Sequence, residues 1–253
     1  MSIMKKASRV SHKLPITPHP EWAQRFWNDL IPFKDRVVKH CYFQELAAGK
    51  LSLERCRRAL INFYPLVESF PSLMALNLAK TRPGIAPGHV EAKNWLIENI
   101  KVEQVHADWF CDWAKGFGCS QDQLYQALPS PQMDAINHYL WRINTYGTLA
   151  EGIGATNLAI EWATGEWARS VDGGLRSYGD QGLADVNERT MAWVQAHAAY
   201  DDQHPYEAME LIKLCAVTQE EQQQTLAATK RAFEYYLLAL DFCYEPSPGV
   251  SAS

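Results

Sequence analysis

The sequence predicts an all-α protein, a single-domain helical bundle of about seven or eight helices. Three observations lead there. Apolar residues recur at three- and four-residue intervals in one run after another, the period of a helix with one buried face. No run alternates apolar and polar residues as a half-buried strand would. No linker, repeat or low-complexity tract divides the 253 residues, so one core is expected.

The elements follow in order. Residues 1–17 read as an irregular arm, 18–245 as the helical domain and 246–253 as a flexible tail. "PEWAQRFWNDLIPFKDRVVKHCYFQELAAGK" keeps helical period to Gly49. "SLERCRRALINFYPLVESFPSLMALNLAK" opens with Ser52 as N-cap and Glu54 in the first turn, and Pro65 and Pro71 are expected to kink or break it. "TRPGIAPG" is a loop. The next long run, from His89, should stop at Gly116 and Gly118. "SQDQLYQAL" is a short capped helix. Residues 130–171 read as a long helix or helix pair softened by Gly147, Gly152 and Gly154, followed by a loop, "GGLRSYGDQG". Two last helices are expected at about 184–216 and 218–244.

Composition narrows the function classes. The chain is 47% hydrophobic with a net charge of −5, which suits a globular core and gives no basic footprint for nucleic acid. The six cysteines form no CxxC pair, so a thiolate zinc site is not expected. The basic N-terminus lacks the apolar stretch of a secretory signal, and no run of 18 apolar residues suggests a membrane span. A cytoplasmic protein with reduced thiols is the simplest expectation. Nine Trp and eleven Tyr point to large buried aromatic surfaces or a lined pocket.

The chemistry sits in three segments. "VEQVHADWF" places Glu103 and His106 one turn apart on a helix. "ATNLAIEWATGEW" sets Glu161 among apolar neighbours, where a carboxylate needs a partner or a cation. "AHAAYDDQHPYE" spaces His197, Asp201 and His204 at i, i+4 and i+7, on one face if the helix is continuous. Three carboxylates and three imidazoles suit two iron or manganese ions, with oxygens to bridge and nitrogens to fix each ion. A lone ExxH is more often a surface pair, Asp201 could be merely solvated, and Glu161 could pair with an Arg. Glu68 is a weaker candidate. Glu151 and Glu166 are expected to face solvent or pair nearby, and His19, His40, His89 and His138 lack partners at ligand spacing. No GxSxG, phosphate loop or cysteine nucleophile motif appears.

"NIKVEQVHADWF", "ATNLAIEWATGEW" and "HAAYDDQHPYEAMELI" resemble the haem-oxygenase-like iron oxidases, and most closely the UndA type, over about residues 20–245. "RRALINFYPLVESFPSLMALNLAKTR" is similar to that family's second helix region. The resemblance implies a haem-oxygenase-like (TenA/PqqC-like) bundle holding non-haem Fe(II). Glu103, His106 and His197 would hold a first iron. Glu161, Asp201 and His204 would hold or bridge to a second, labile one. Pro205, placed in a continuous helix, would leave the Asp201 carbonyl unbonded and loosen that turn. The implied reaction uses O₂ as co-substrate and converts a medium-chain fatty acid to a terminal alkene and CO₂. Phe63, Tyr64, Phe70, Leu73, Trp141 and Trp162 are the candidates for an apolar substrate pocket. A small-molecule substrate, an external electron donor and a homodimer are compatible with this reading. The alternatives are a related di-iron oxidase of an amino acid or p-aminobenzoate-type substrate, a TenA-like or PqqC-like metal-free enzyme, and a non-enzymatic module. The p-aminobenzoate-forming relatives have a longer first Glu–His spacing than the ExxH here.

Overall fold

The computed structural model describes residues 14–200 and 203–245. Among them there is no strand. The helices are α1 (Glu21–Val38), α2 (Cys41–Ala47), α3 (Leu53–Lys80), α4 (His89–Gly116), α5 (Gln121–Tyr125), α6 (Pro131–Tyr146), α7 (Leu149–Ile153), α8 (Ala159–Asp180), α9 (Ala192–Tyr200), α10 (His204–Cys215) and α11 (Gln219–Tyr244). A π-helical turn, Gly154–Leu158, joins α7 to α8. These segments outnumber the expected seven or eight because several expected runs divide.

The divisions have local causes. Ser52 and Ser130 cap α3 and α6 by accepting backbone N–H bonds from Arg55 and Met133. Ser120, Thr148 and Thr218 each form a capping box with Gln123, Glu151 or Glu221 at the third helical position. Gly118, at φ 79°, turns the chain after α4. His40 caps α2, splitting the first run in two.

Three expectations are corrected. Pro65 and Pro71 do not break α3, which runs unbroken over 28 residues. Each proline costs one backbone bond, but Tyr64, Leu66, Phe70 and Leu73 around them are buried and hold the turns. The expected loop at 173–182 belongs largely to α8, which continues to Asp180. Gly174 is there for close approach: a Cβ on it would lie 2.0 Å from the Leu46 carbonyl oxygen of α2. Residues 184–216 are not one helix, since α9 and α10 are separate elements. Pro205 therefore sits in the first turn of α10, where its missing N–H is no loss. Helix α3 passes a length-and-composition test for crossing a membrane, as a core helix also can. Here it packs along α4 and α6 within the bundle.

Helix α8 is the organising element. It packs against α2, α9, α1, α11 and α10 and presents an apolar stripe to all of them. The α3–α4 hairpin closes the other side of the core. Each large apolar side chain so buried contributes about 1.5–3 kcal/mol. Buried polar residues interrupt this core on α4, α8, α9 and α10.

Candidate metal centre

Helix α4 carries Glu103 and His106 on its inner face, α8 carries Glu161, α9 carries His197 and α10 carries His204. All five are buried: 7%, 3%, 5%, 6% and 1% exposed in that order. Asp201 lies outside the described residues. The one-face arrangement of His197 and His204 is not what forms; the two come from different helices that converge on the same place.

The geometry is tight. Glu103, Glu161 and His204 offer ligand atoms that all lie within 4.8 Å of one another. His204 Nδ1 lies 2.7 Å from Glu161 Oε2, and His106 Nδ1 lies 3.1 Å from Glu103 Oε2. The His106 and His197 rings are 4.6 Å apart. His197 Nδ1 is 2.7 Å from the Trp193 carbonyl oxygen, which can only accept. The neutral ring therefore carries its hydrogen on Nδ1 and its lone pair on Nε2, the form a metal ligand needs. Burial alone would push the Glu103 carboxyl up. The His106 hydrogen bond and the attraction of His106, His197 and His204 to the carboxylate outweigh burial and hold Glu103 at about 2. Glu103 thus stays a carboxylate in the interior.

Two residues that sequence reasoning missed support the cluster. Asn157, fully buried in the π-helical turn, donates its Nδ2 hydrogen to Glu161 Oε1 at 2.7 Å. Glu207 on α10 is buried and accepts the Trp95 indole N–H at 2.8 Å. Spacing is the signal that could find both: Asn157 is four residues before Glu161, and Glu207 three after His204.

Glu103, Glu161 and His197 line the inner wall of a cavity enclosing about 770 Å³ of atom-free space, its open mouth included. Of the six expected pocket residues, Phe63 and Phe70 line it, on one face of α3 with Leu66 and Val67. The other four are placed elsewhere. Tyr64 packs toward Phe110 and Tyr125 on the neighbouring face, and Leu73 is core. Trp141 is 39% exposed on α6. Trp162 stacks on Trp27 at 4.0 Å and donates to Glu166, because one step along α8 from Glu161 turns it away from the cavity. The aromatic wall is instead Phe43, Phe110, Trp113, Trp167, Trp193 and Tyr236. Trp113 continues the Glu103–His106–Phe110 stripe of α4, and Trp193 lies one turn before His197. Extending each ligand stripe by a turn or two finds them. No cysteine lines the cavity, and burial pushes the thiols of Cys56, Cys215 and Cys243 up to about 12. Glu68, the weaker acidic candidate, is exposed.

The donor set fits a metal ion. Two carboxylates and an imidazole converge, with a second imidazole fixed in the metal-binding tautomer beside them. Asn157 Oδ1 is buried and meets no hydrogen-bond partner among the described residues, a gap that a hydrated cation would fill.

The comparisons with known proteins agree with this chemistry. A family model described as "Iron-containing redox enzyme", of the haem-oxygenase type, matches residues 57–237. The chain belongs to this family. It is also 35% identical to a TenA homologue from Pseudomonas syringae pv. tomato str. DC3000, with a TM-score of 0.83 over 92% of this chain and 98% of that one. Two further structures share the fold at low identity. One is a domain of unknown function with a haem-oxygenase-like fold from Shewanella denitrificans OS217, at 16% identity, a TM-score of 0.72 and coverage of 90% and 93%. The other is a putative TenA-like thiaminase from Sulfolobus solfataricus P2, at 14% identity, a TM-score of 0.62 and coverage of 87% and 95%. A search of the curated proteins finds no match. The iron-redox family and the all-helical haem-oxygenase-like fold are thus established for this chain.

Proposed function

We propose that the protein is a non-haem iron oxidase that decarboxylates a medium-chain fatty acid to a terminal alkene. One observation carries the reading: a buried carboxylate–imidazole cluster opens onto an aromatic-lined cavity with no other charged lining residue. Glu103, His106 and His197 would hold one Fe(II), and Glu161, His204 and Asp201 a second. When bound, the irons supply O₂ activation. The balanced reaction takes the acid, O₂, two electrons and two protons to an alkene one carbon shorter, CO₂ and two waters. The electrons come from an external one-electron donor.

The chain's own residues supply position and dryness. Phe63, Phe70, Phe110 and Trp167 offer an apolar channel in which an alkyl chain displaces water. Trp193, its ring tilted against His197 at 3.8 Å, walls the reacting end and holds that ligand through its carbonyl. Glu161 is six residues from Trp167, a distance of about 9 Å along α8, so the channel runs more than one and a half turns from the cluster. The arrangement puts a C–H bond near the acid's carboxylate against the cluster and the tail in the aromatic channel.

A TenA-like hydrolase is the second reading, raised by the Pseudomonas syringae relative. The resemblance assigns those enzymes a cysteine nucleophile, and no cysteine lines this cavity. Headspace gas analysis tests the main reading. Iron-loaded, reduced protein with O₂ and saturated acids of about ten to fourteen carbons, the range the resemblance suggests, should release the matching alkenes. O₂ uptake without alkene from any of them keeps the oxidase and refutes the decarboxylase. Neither iron uptake nor O₂ consumption refutes both.

A further inference from the structure

The buried polar groups next to the cluster are unevenly explained. Glu207 has the Trp95 indole, and Glu210 has Lys213 and Thr17. Asn157 is different. It is fully buried in the only π-helical turn among the described residues, one turn before Glu161, and just one end of its amide is used.

Such a turn inserts a residue into a helix, costs hydrogen-bond geometry and recurs at functional sites. Here it is anchored on both sides. Thr156 Oγ1 accepts the Asn144 amide at 2.7 Å, and Asn144 Oδ1 accepts from Asn77 at 2.6 Å. On the outer side of the turn, a Cβ on Gly154 would lie 2.5 Å from Thr229 Oγ1, so α11 presses the turn into place. The consecutive residues Thr156 and Asn157 thus serve two buried networks, one structural and one ending on Glu161. The amide orientation is set by chemistry: Nδ2 must face the carboxylate, since Oδ1 there would be repelled.

We infer that Asn157 is a positioning residue for the metal centre. It holds Glu161 Oε1, so that Oε2, the oxygen beside His204, is the one presented to a second ion. Its own Oδ1 accepts a hydrogen from water that the ion carries. This rests on the iron reading above. A carboxylate pinned at one oxygen binds an ion through the other, and a released one is free to chelate it. His106 and His197 sit on α4 and α9, away from this contact, so the first ion should not depend on it.

The test is an anaerobic titration of the full-length protein with ferrous iron alone, comparing the parent with Asn157→Leu and Asn157→Ala. Infrared difference spectra of the carboxylate stretches accompany the titration. The parent should take up two ions. The variants should bind the second ion at least tenfold more weakly, the usual size of a lost outer contact to a ligand, and the first within threefold of the parent. The carboxylate band splitting should move from the one-oxygen toward the chelating pattern. Unchanged affinity and splitting would overturn the proposal. So would an equal weakening of both ions with a lower melting temperature, which marks a merely structural residue. If Asn157→Leu does not fold, the Asn157→Ala titration and spectra decide alone. A parent that binds no ferrous iron overturns the iron reading itself, and this inference with it.

Discussion

Two adjacent glycines in α8 should respond to the same substitution with opposite signs. A Cβ added at Gly173 would have nothing within 4 Å of it, whereas one on Gly174 would sit 2.0 Å from the Leu46 carbonyl oxygen and 2.5 Å from that of Ala47. Gly→Ala inside a helix gains up to about 1 kcal/mol in propensity. At Gly173 that gain stands alone, so Gly173→Ala should stabilise by about 0.5–1 kcal/mol. At Gly174 the methyl meets backbone, which cannot rotate aside. Helices α2 and α8 must part by more than an ångström, loosening Leu46 and the Phe43–Trp167 stack at 4.5 Å. Forced separation of that kind lies at or above the top of the overpacking range of about 1–3 kcal/mol, leaving Gly174→Ala destabilised by about 2 kcal/mol. For a chain of this size that is a fall of about 4–8 °C in melting temperature. Urea titrations of the parent and both variants measure it. A Gly174→Ala protein as stable as Gly173→Ala would refute the close-contact account of α8.

Three further outcomes are expected. His197→Ala should lose tight binding of the first iron, because no other imidazole on α9 can replace it; parental uptake in an anaerobic titration would refute the ligand assignment. Ferrous iron at a hundredfold excess over its dissociation constant should add about 2.7 kcal/mol of stability, reversed by a chelator, as read by thermal melts; an unchanged melting temperature refutes binding to the folded state. Leu46→Trp adds bulk where α2 lines the cavity and should shift product toward shorter acids in a competition assay, without changing iron content; an unchanged chain-length profile would place Leu46 off the substrate path.

How much is legible in the sequence depends on the range of the interaction. The helical period, the caps at Ser52 and Ser120 and the stop at Gly116 and Gly118 follow from contacts within a few residues, and they stand in the structure. The ExxH of α4 is also local, since residues three apart share a face whatever the helix packs against. The glycines at 173 and 174 read as a loop because sequence carries no record of Leu46, over a hundred residues earlier, pressing on them. The expected pocket fails in part for a similar reason. Tyr64 and Trp162 each neighbour a site or lining residue in sequence, but one residue along a helix turns a side chain by about 100°, and only packing says which face looks inward.

The sequence by itself determined the fold class, the candidate donor types and their order along the chain, because periodicity and donor chemistry are local properties. Tertiary structure alone decided that Glu103, Glu161 and His204 meet within 4.8 Å, and that His197 and His204 arrive on separate helices. It also decided that Asn157 stands against Glu161 and that the aromatic channel is built from α2, α3, α4, α8, α9 and α11. The physical reason is burial: a carboxylate in the core is tolerable only beside its partners, and those partners lie on helices far apart in the chain.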